Sequence, residues 1–290
     1  MKRSVVFVVA VLLLPACGKP PEGVLVRGAR DVTAMVPFDG GLLYGERTTG
    51  RILDLDGKVH ARVRVSSKGQ RGLLGLAVDE DRNIFASWTR PDLRLVVAKV
   101  APGPQRLVWL GPRSTDLYTG GHIAISPEDG VLAVGVGDLQ DPGAVSDSKA
   151  PNGKILKLDP DGGPDQKWTS YSYGWNNPFA FDFTEFGALW LADNAPGGGR
   201  ERLGRADPVG PNTYLPSRTA PSGLAVAGDK VFVCGFRTRL LLRYRVLRNQ
   251  AARPEGPPVA RDCLLGVVEL EDGRLAYSTG TSIKAVYPES

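Results

Sequence analysis

The stretch AISPEDGVLAVGVG, residues Ala124–Gly137, decides the fold. Apolar residues alternate on both sides of a Pro-Glu-Asp-Gly turn, which is the pattern of two antiparallel strands joined by a tight reversal. The same phrase returns as AMVPFDGGLLYGE (Ala34–Glu46), LAVDEDRNIFAS (Leu76–Ser87), AFDFTEFGALWLA (Ala180–Ala192), LAVAGDKVFVC (Leu224–Cys234) and VVELEDGRLAYS (Val267–Ser278). Its second strands begin near Leu42, Ile84, Leu132, Leu189, Val231 and Leu275, in steps of 42, 48, 57, 42 and 44 residues. Short strands at this period predict an all-β, six-bladed β-propeller. A propeller gathers its functional groups on turns around one central channel, so the search for chemistry narrows to a few loops.

The ends of the chain predict how the ring closes. Val24–Arg30 reads as a lone strand, and the last repeat, Leu265–Pro288, supplies only three strands. The N-terminal strand is expected to complete the C-terminal blade, which removes the exposed sheet edges of an open array. Helix signals are weak, with 36 Gly and 23 Pro. The two long steps place polar insertions at Asp138–Pro151 and Asp159–Tyr173, and a further long loop is expected at Asn194–Thr219. Long loops of a compact domain tend to carry binding functions.

The first residues read as an export signal. Lys2 and Arg3 precede the apolar run Val5–Leu14, which is too short to span a bilayer. LPAC (Leu14–Cys17) resembles the lipobox of bacterial lipoproteins, which implies cleavage before Cys17 and lipid on its sulfur; an ordinary secretory peptide is the alternative. The expected organisation is a signal peptide over 1–16, a lipidated Cys17 with a tether over 17–23, and the propeller over 24–290. A six-residue tether reaches at most about 20 Å, so the domain would sit against the bacterial membrane, on its periplasmic or cell-surface side. Beyond residue 16 there are 34 basic and 31 acidic side chains, scattered along the chain. No clustered basic footprint of a nucleic-acid binder is present, so no nucleic-acid partner is expected and a monomer is. Export permits a disulfide between Cys234 and Cys263; two buried free thiols are the alternative.

Six motifs carry a family resemblance: QRGLLGLA (Gln70–Ala77), GGHIAISPEDG (Gly120–Gly130), VGD (Val136–Asp138), NGKILKLDPDG (Asn152–Gly162), YGWNNP (Tyr173–Pro178) and APGGGRE (Ala195–Glu201). Their order resembles that in the soluble quinoprotein sugar dehydrogenases, the glucose/sorbosone dehydrogenase family, over about residues 68–247. That family is a six-bladed propeller and uses pyrroloquinoline quinone (PQQ) with Ca²⁺. The resemblance implies a sugar or small acid as ligand at the channel mouth.

It also implies site residues. The family's general base is a His two residues before the Gly-Gly pair, and Tyr118 stands there. Tyrosine ordinarily ionises near pH ~10 and is a poor proton acceptor at neutrality. Asp138 matches the Asp that orients the base, and His122, four residues after Tyr118, is the substitute candidate. His60 is expected to be solvated. For the cofactor, Gln70, Asn176, Asn177 and Arg237 match or replace quinone-binding positions, with Asn176 where the family carries Arg. The calcium loop aligns with Ala195, Pro196 and Glu201, with Arg200 in place of an Asp. A dehydrogenase, a propeller that binds a sugar, small acid or protein without redox chemistry, and a metal-dependent lactone hydrolase using Asp138, Asn176, Asn177 and Glu201 remain the three readings.

Overall fold

The computed structural model describes residues 22–194, 199–206 and 210–289. Its strands form six four-stranded antiparallel sheets. Blades 1 to 5 occupy residues 32–62, 73–113, 120–173, 180–214 and 221–254. Blade 6 takes Leu265–Glu269, Leu275–Ser278 and Ser282–Val286, and Gly23–Arg27 pairs with the last of these as its fourth strand. The ring therefore closes as the sequence predicts. Cys17 and the other residues before 22 lie outside the described residues, as do Ala195 and Pro196.

The first strand of each blade is innermost: Val32–Phe38, Leu73–Val78, Gly120–Ile125, Ala180–Phe183, Pro221–Ala227 and Leu265–Glu269. Each packs against the first strand of the next blade, and Leu265–Glu269 packs back onto Val32–Phe38. Blades stack face to face, so both faces of a middle strand lose contact with water. That is why the second strands Ile84–Thr89 and Leu132–Val136 are buried along their whole length.

Apolar clusters fill the interfaces between blades. Phe85, Leu95, Val97 and Trp109 of blade 2 meet Ile123, Leu132, Val134 and Leu156 of blade 3. Trp190 and Leu203 of blade 4 meet Leu224, Val233 and Tyr244 of blade 5. Each such Leu or Phe contributes roughly 1.5–3 kcal/mol on burial. Close backbone approach matters at Gly135 and Gly137 of blade 3. A Cβ at Gly135 would collide with the Pro178 carbonyl on the approach to blade 4, and one at Gly137 with the Tyr118 carbonyl.

Three expectations change. Thr169–Tyr173, expected within an insertion, is the outer strand of blade 3. Arg202–Arg205 and Thr213–Tyr214, inside the expected 194–219 loop, are the outer strands of blade 4. These strands are too short or too polar to show an apolar stripe, Arg202–Arg205 burying only Leu203 as an apolar side chain, so periodicity does not reveal them. His60 is half-buried rather than solvated: its Nε2 lies 2.8 Å from Asp54 and its ring meets the edge of Phe38. Asp138–Pro151 does form a connecting loop, with one short 3₁₀ turn at Pro142–Ser146. Cys234 and Cys263 are joined in a disulfide.

Candidate functional site

The inner strands start from loops that converge at one end of the channel, around a cavity of about 1040 Å³. Gln70, Tyr118, Asn176, Asn177, Glu201 and Arg237 all line it. They come from the approaches to blades 2, 3 and 4, from the residue just before the third strand of blade 4 and from a turn of blade 5. Six of the sequence-derived candidates thus share one mouth.

Two donors at this mouth are held ready. The Asn177 side-chain oxygen accepts from the Gly120 N–H at 3.0 Å, and the Asn177 backbone N–H donates to Asp193 at 2.8 Å. The Gln70 oxygen accepts from the Tyr118 N–H at 2.5 Å. In both amides the oxygen is engaged, which fixes the orientation of the NH₂ group on the cavity wall. Tyr118 itself sits in the left-handed region, φ 56°, and its carbonyl accepts from Leu139 at 3.2 Å.

Asp138 lies behind this wall, 3% exposed. One carboxylate oxygen accepts from the Asn176 side chain at 2.7 Å and the other from the Gln140 N–H at 2.8 Å. His122 does not line the cavity. It sits on the inner strand of blade 3 with its ring edge-on to Phe181 at 4.6 Å and to Phe179 at 5.9 Å. Burial there lowers its pKa to about 4, against a smaller opposing effect of a hydrogen bond to the Phe181 backbone. It is a neutral ring packed below the mouth.

Sequence reasoning missed the residue that places Asn176 and Asn177. Asp193, fully buried at the end of the second strand of blade 4, accepts both of their N–H groups at 2.8–3.2 Å. Arg202 opens the next strand, lies 3.6 Å from Asp193, donates to the Gly174 carbonyl at 2.6 Å and covers the Trp175 ring at 4.3 Å. Blade 1 repeats the device, with buried Glu46 ending the second strand and Arg51 opening the third, 2.8 Å apart. Repeats aligned strand by strand put Glu46 and Asp193 at one position, a signal that was there to be read.

The wall carries Arg47, Arg200, Arg218 and Arg237 against two carboxylates, Asp31 and Glu201. Arg47 is neutralised by Asp31 at 3.2 Å and donates to the Gly69 and Arg71 carbonyls. Arg200 lies over the Tyr214 ring at 4.0 Å. Arg218 and Arg237 are exposed, and neither pairs with a carboxylate among the described residues. The mouth has an excess of positive charge, which suits an anionic ligand; arginine's planar fork suits carboxylates in particular.

Calcium does not fit the described part of its expected loop. The Glu201 carboxylate is engaged on both oxygens, by the Thr219 N–H at 2.6 Å and the Ala220 N–H at 2.9 Å. Arg200 adds a cation where a dication wants oxygen ligands. Among the described residues no group of three or more His, Cys, Asp or Glu side chains is placed to hold a metal ion. The same bonds weigh against a hydrolytic metal centre, since Asp138 and Asn176 are spent on each other and Glu201 on backbone amides.

Comparison with known proteins gives the lineage. The family model described as Glucose / Sorbosone dehydrogenase matches residues 32–203, more than half of the chain. No curated protein sequence matches. Among solved structures, an oxidoreductase (glucose dehydrogenase) from Thermus thermophilus superposes with a TM-score of 0.75 at 22% identity, covering 91% of this chain and 98% of that one. The PQQ-bound aldose sugar dehydrogenase of Streptomyces coelicolor gives 0.72 at 24% identity, covering 92% and 99%. The soluble aldose sugar dehydrogenase of Escherichia coli, in its apo form, gives 0.73 at 19% identity, covering 90% and 97%. At these identities the structural likeness establishes the six-bladed fold.

Proposed function

The chain belongs to the glucose/sorbosone dehydrogenase family, and from that premise we propose that it is an exported propeller whose channel mouth binds a polycarboxylate of the PQQ class and has lost the base that sugar oxidation needs. The observation that carries this is the composition of the wall. Arg218 and Arg237 have no carboxylate partner among the described residues, and the Gln70 and Asn177 amides are oriented on the same cavity. PQQ has three carboxylates and, when bound, supplies a quinone that accepts hydride from a sugar carbon.

In this reading Arg237 and Arg218 hold carboxylates, and Gln70 and Asn177 donate to ligand oxygens. Asp193 keeps Asn177 in place. Phe179, Leu74 and Leu265 supply apolar wall on which a flat ring system loses water. Oxidation of a hydroxyl also requires that a proton leave as hydride does, and a positioned base typically accelerates that step ~10²–10⁴-fold. No histidine lines the cavity, and its carboxylates, Asp31 and Glu201, are engaged by Arg47 and by backbone amides. Tyr118 stands in the base position, which favours a second reading, a slow aldose dehydrogenase, over a hydrolase.

Lipid attachment at Cys17 and a place on the outer side of the bacterial membrane are part of the same proposal. They are supported by the charge, apolar run and LPAC order, and a disulfide suits an oxidising compartment. The test is a titration of the protein from residue 18 onward with PQQ, read by quinone absorbance. Saturable binding that weakens at least about tenfold in Arg237→Ala, the loss of one charge-assisted contact, is expected. Absence of binding rules the polycarboxylate reading out.

A further inference from the structure

The loop where the family resemblance asks for calcium carries an internal clamp instead. Glu201 reaches from the edge of blade 4 to the turn that enters blade 5 and accepts two successive N–H groups there, those of Thr219 and Ala220. The backbone alongside is tied as well, with the Leu215 N–H donating to the Glu201 carbonyl at 2.9 Å. Within the turn, Arg218 (φ 64°) and Ala220 (φ 50°) both occupy the left-handed region, which non-glycine residues hold only where surroundings enforce it. Thr219 between them is fully buried.

The turn passes the constraint on. The Ala220 carbonyl accepts from the Phe236 N–H at 2.9 Å, and the Thr219 carbonyl accepts from the Arg237 N–H at 3.3 Å. One carboxylate therefore fixes the segment bearing Arg218 and, through it, the segment bearing Arg237. These are two of the three cations of the mouth without a carboxylate partner among the described residues, and Arg200, which lies over the Tyr214 ring, is the third. Arg200, next to Glu201, supplies a positive charge on the same wall. A dication brought to this loop would meet Arg200 and would have to displace two N–H donors from Glu201.

We propose that Glu201 is a positioning residue that assembles the cationic wall of the mouth by clamping the 215–220 turn, so that this wall forms without a metal ion. The clamp stands on hydrogen-bond geometry alone; only the ligand arm of its test rests on the polycarboxylate reading above.

The test follows amide hydrogen exchange over residues 215–222 and 234–240 in the wild-type protein, with EDTA and with added Ca²⁺, and in Glu201→Gln and Glu201→Ala. Protection equal in EDTA and in Ca²⁺ is expected for the wild type. Exchange of the 215–222 segment should speed up about tenfold or more in Glu201→Ala, with a smaller change in Glu201→Gln, which keeps one acceptor, and the loss should extend to 234–240 while blades 1 and 2 stay protected. Protection that appears only with Ca²⁺, or a Glu201→Ala protein that exchanges like wild type, overturns the proposal. In parallel, PQQ affinity should be the same with EDTA and Ca²⁺ and should fall in Glu201→Ala. If the wild type binds no PQQ, the polycarboxylate reading falls and the exchange data alone decide the clamp.

Discussion

Asn176 donates its side-chain amide to Asp138 at 2.7 Å, which ties up one oxygen of a buried carboxylate behind the channel mouth. Asp138 is the carboxylate expected to orient a catalytic base. Here it is closed behind the wall by the residue that replaces the family's arginine. In the proposed function, the missing base at Tyr118 and the hydrogen bond of Asn176 to Asp138 belong to one rearrangement.

Restoring the base alone should therefore achieve little. In Tyr118→His the new imidazole lacks a free carboxylate to orient it, so dye reduction with aldoses is expected to stay within about threefold of wild type. Tyr118→His combined with Asn176→Arg frees Asp138 and should exceed the single variant by about tenfold or more. Full activity in the single variant would mean that Asp138 is not held as described.

Asp193 is expected to be the costliest polar residue to remove near the mouth. It is buried, accepts three hydrogen bonds from two adjacent backbone amides and lies beside Arg202. Asp193→Ala leaves two buried N–H groups without their acceptor and Arg202 with only the Gly174 carbonyl among the described residues, a loss of about 2–5 kcal/mol by denaturant unfolding. Asp193→Asn keeps an acceptor and should lose less. Equal stability of all three proteins would show that the Asn176–Asn177 turn is held by other means.

Two groups of the channel give opposing pH dependences. Burial lowers the His122 pKa from 6.5 to about 4, so its stabilising effect is present above pH 6.5 and is lost as pH falls toward 4. Asp182, on the inner strand of blade 4, has its pKa raised from 3.8 to about 7, first by burial and further by Glu269, while the Val226 and Phe183 N–H groups pull it down. A raised carboxyl binds its proton more tightly when folded, so stability falls as pH rises from about 4 to about 7. The slopes cancel in part between pH 4 and 6.5. Melting temperature against pH should fall through that range in His122→Gln and rise in Asp182→Asn; parallel profiles would refute both assignments.

The disulfide braces the mouth from behind. Cys234 precedes Phe236 and Arg237, Cys263 precedes Leu264 and Leu265, and all four of these neighbours line the cavity. The bridge spans a sequence separation of 29 residues, and replacing both cysteines by alanine should cost about 2–4 kcal/mol of unfolding free energy. A thiol titration of the unfolded protein without reductant should find neither of these sulfurs free; two reactive thiols would contradict the bridge.

The repeat was legible because each blade's two inner strands are apolar and meet at a Gly- or Asp-bearing turn. Strand counting in the last repeat pointed to Val24–Arg30 as the closing strand, and the strand that closes the ring is Gly23–Arg27. The outer strand Thr169–Tyr173 was hidden by its polar sequence, TSYSY, and Thr213–Tyr214 by its brevity. At the site, family motifs brought Gln70, Tyr118, Asn176, Asn177 and Arg237 to one mouth. They could not show that Asp138 turns away or that His122 lies below, because both depend on side-chain direction. Arg218 and Asp193 fell outside every motif: Arg218 works through an unusual φ that leaves no spacing to read, and Asp193 shows only when the repeats are aligned strand by strand against Glu46.

The most direct measurement is aldose-dependent dye reduction by the PQQ-saturated protein, made alongside the binding titration. Saturable PQQ binding with no sugar-dependent rate above that of free PQQ is the result this account predicts. Sustained turnover of an aldose by the wild-type chain would contradict it, because a working base would then have to exist at a mouth that presents only Tyr118 in that position.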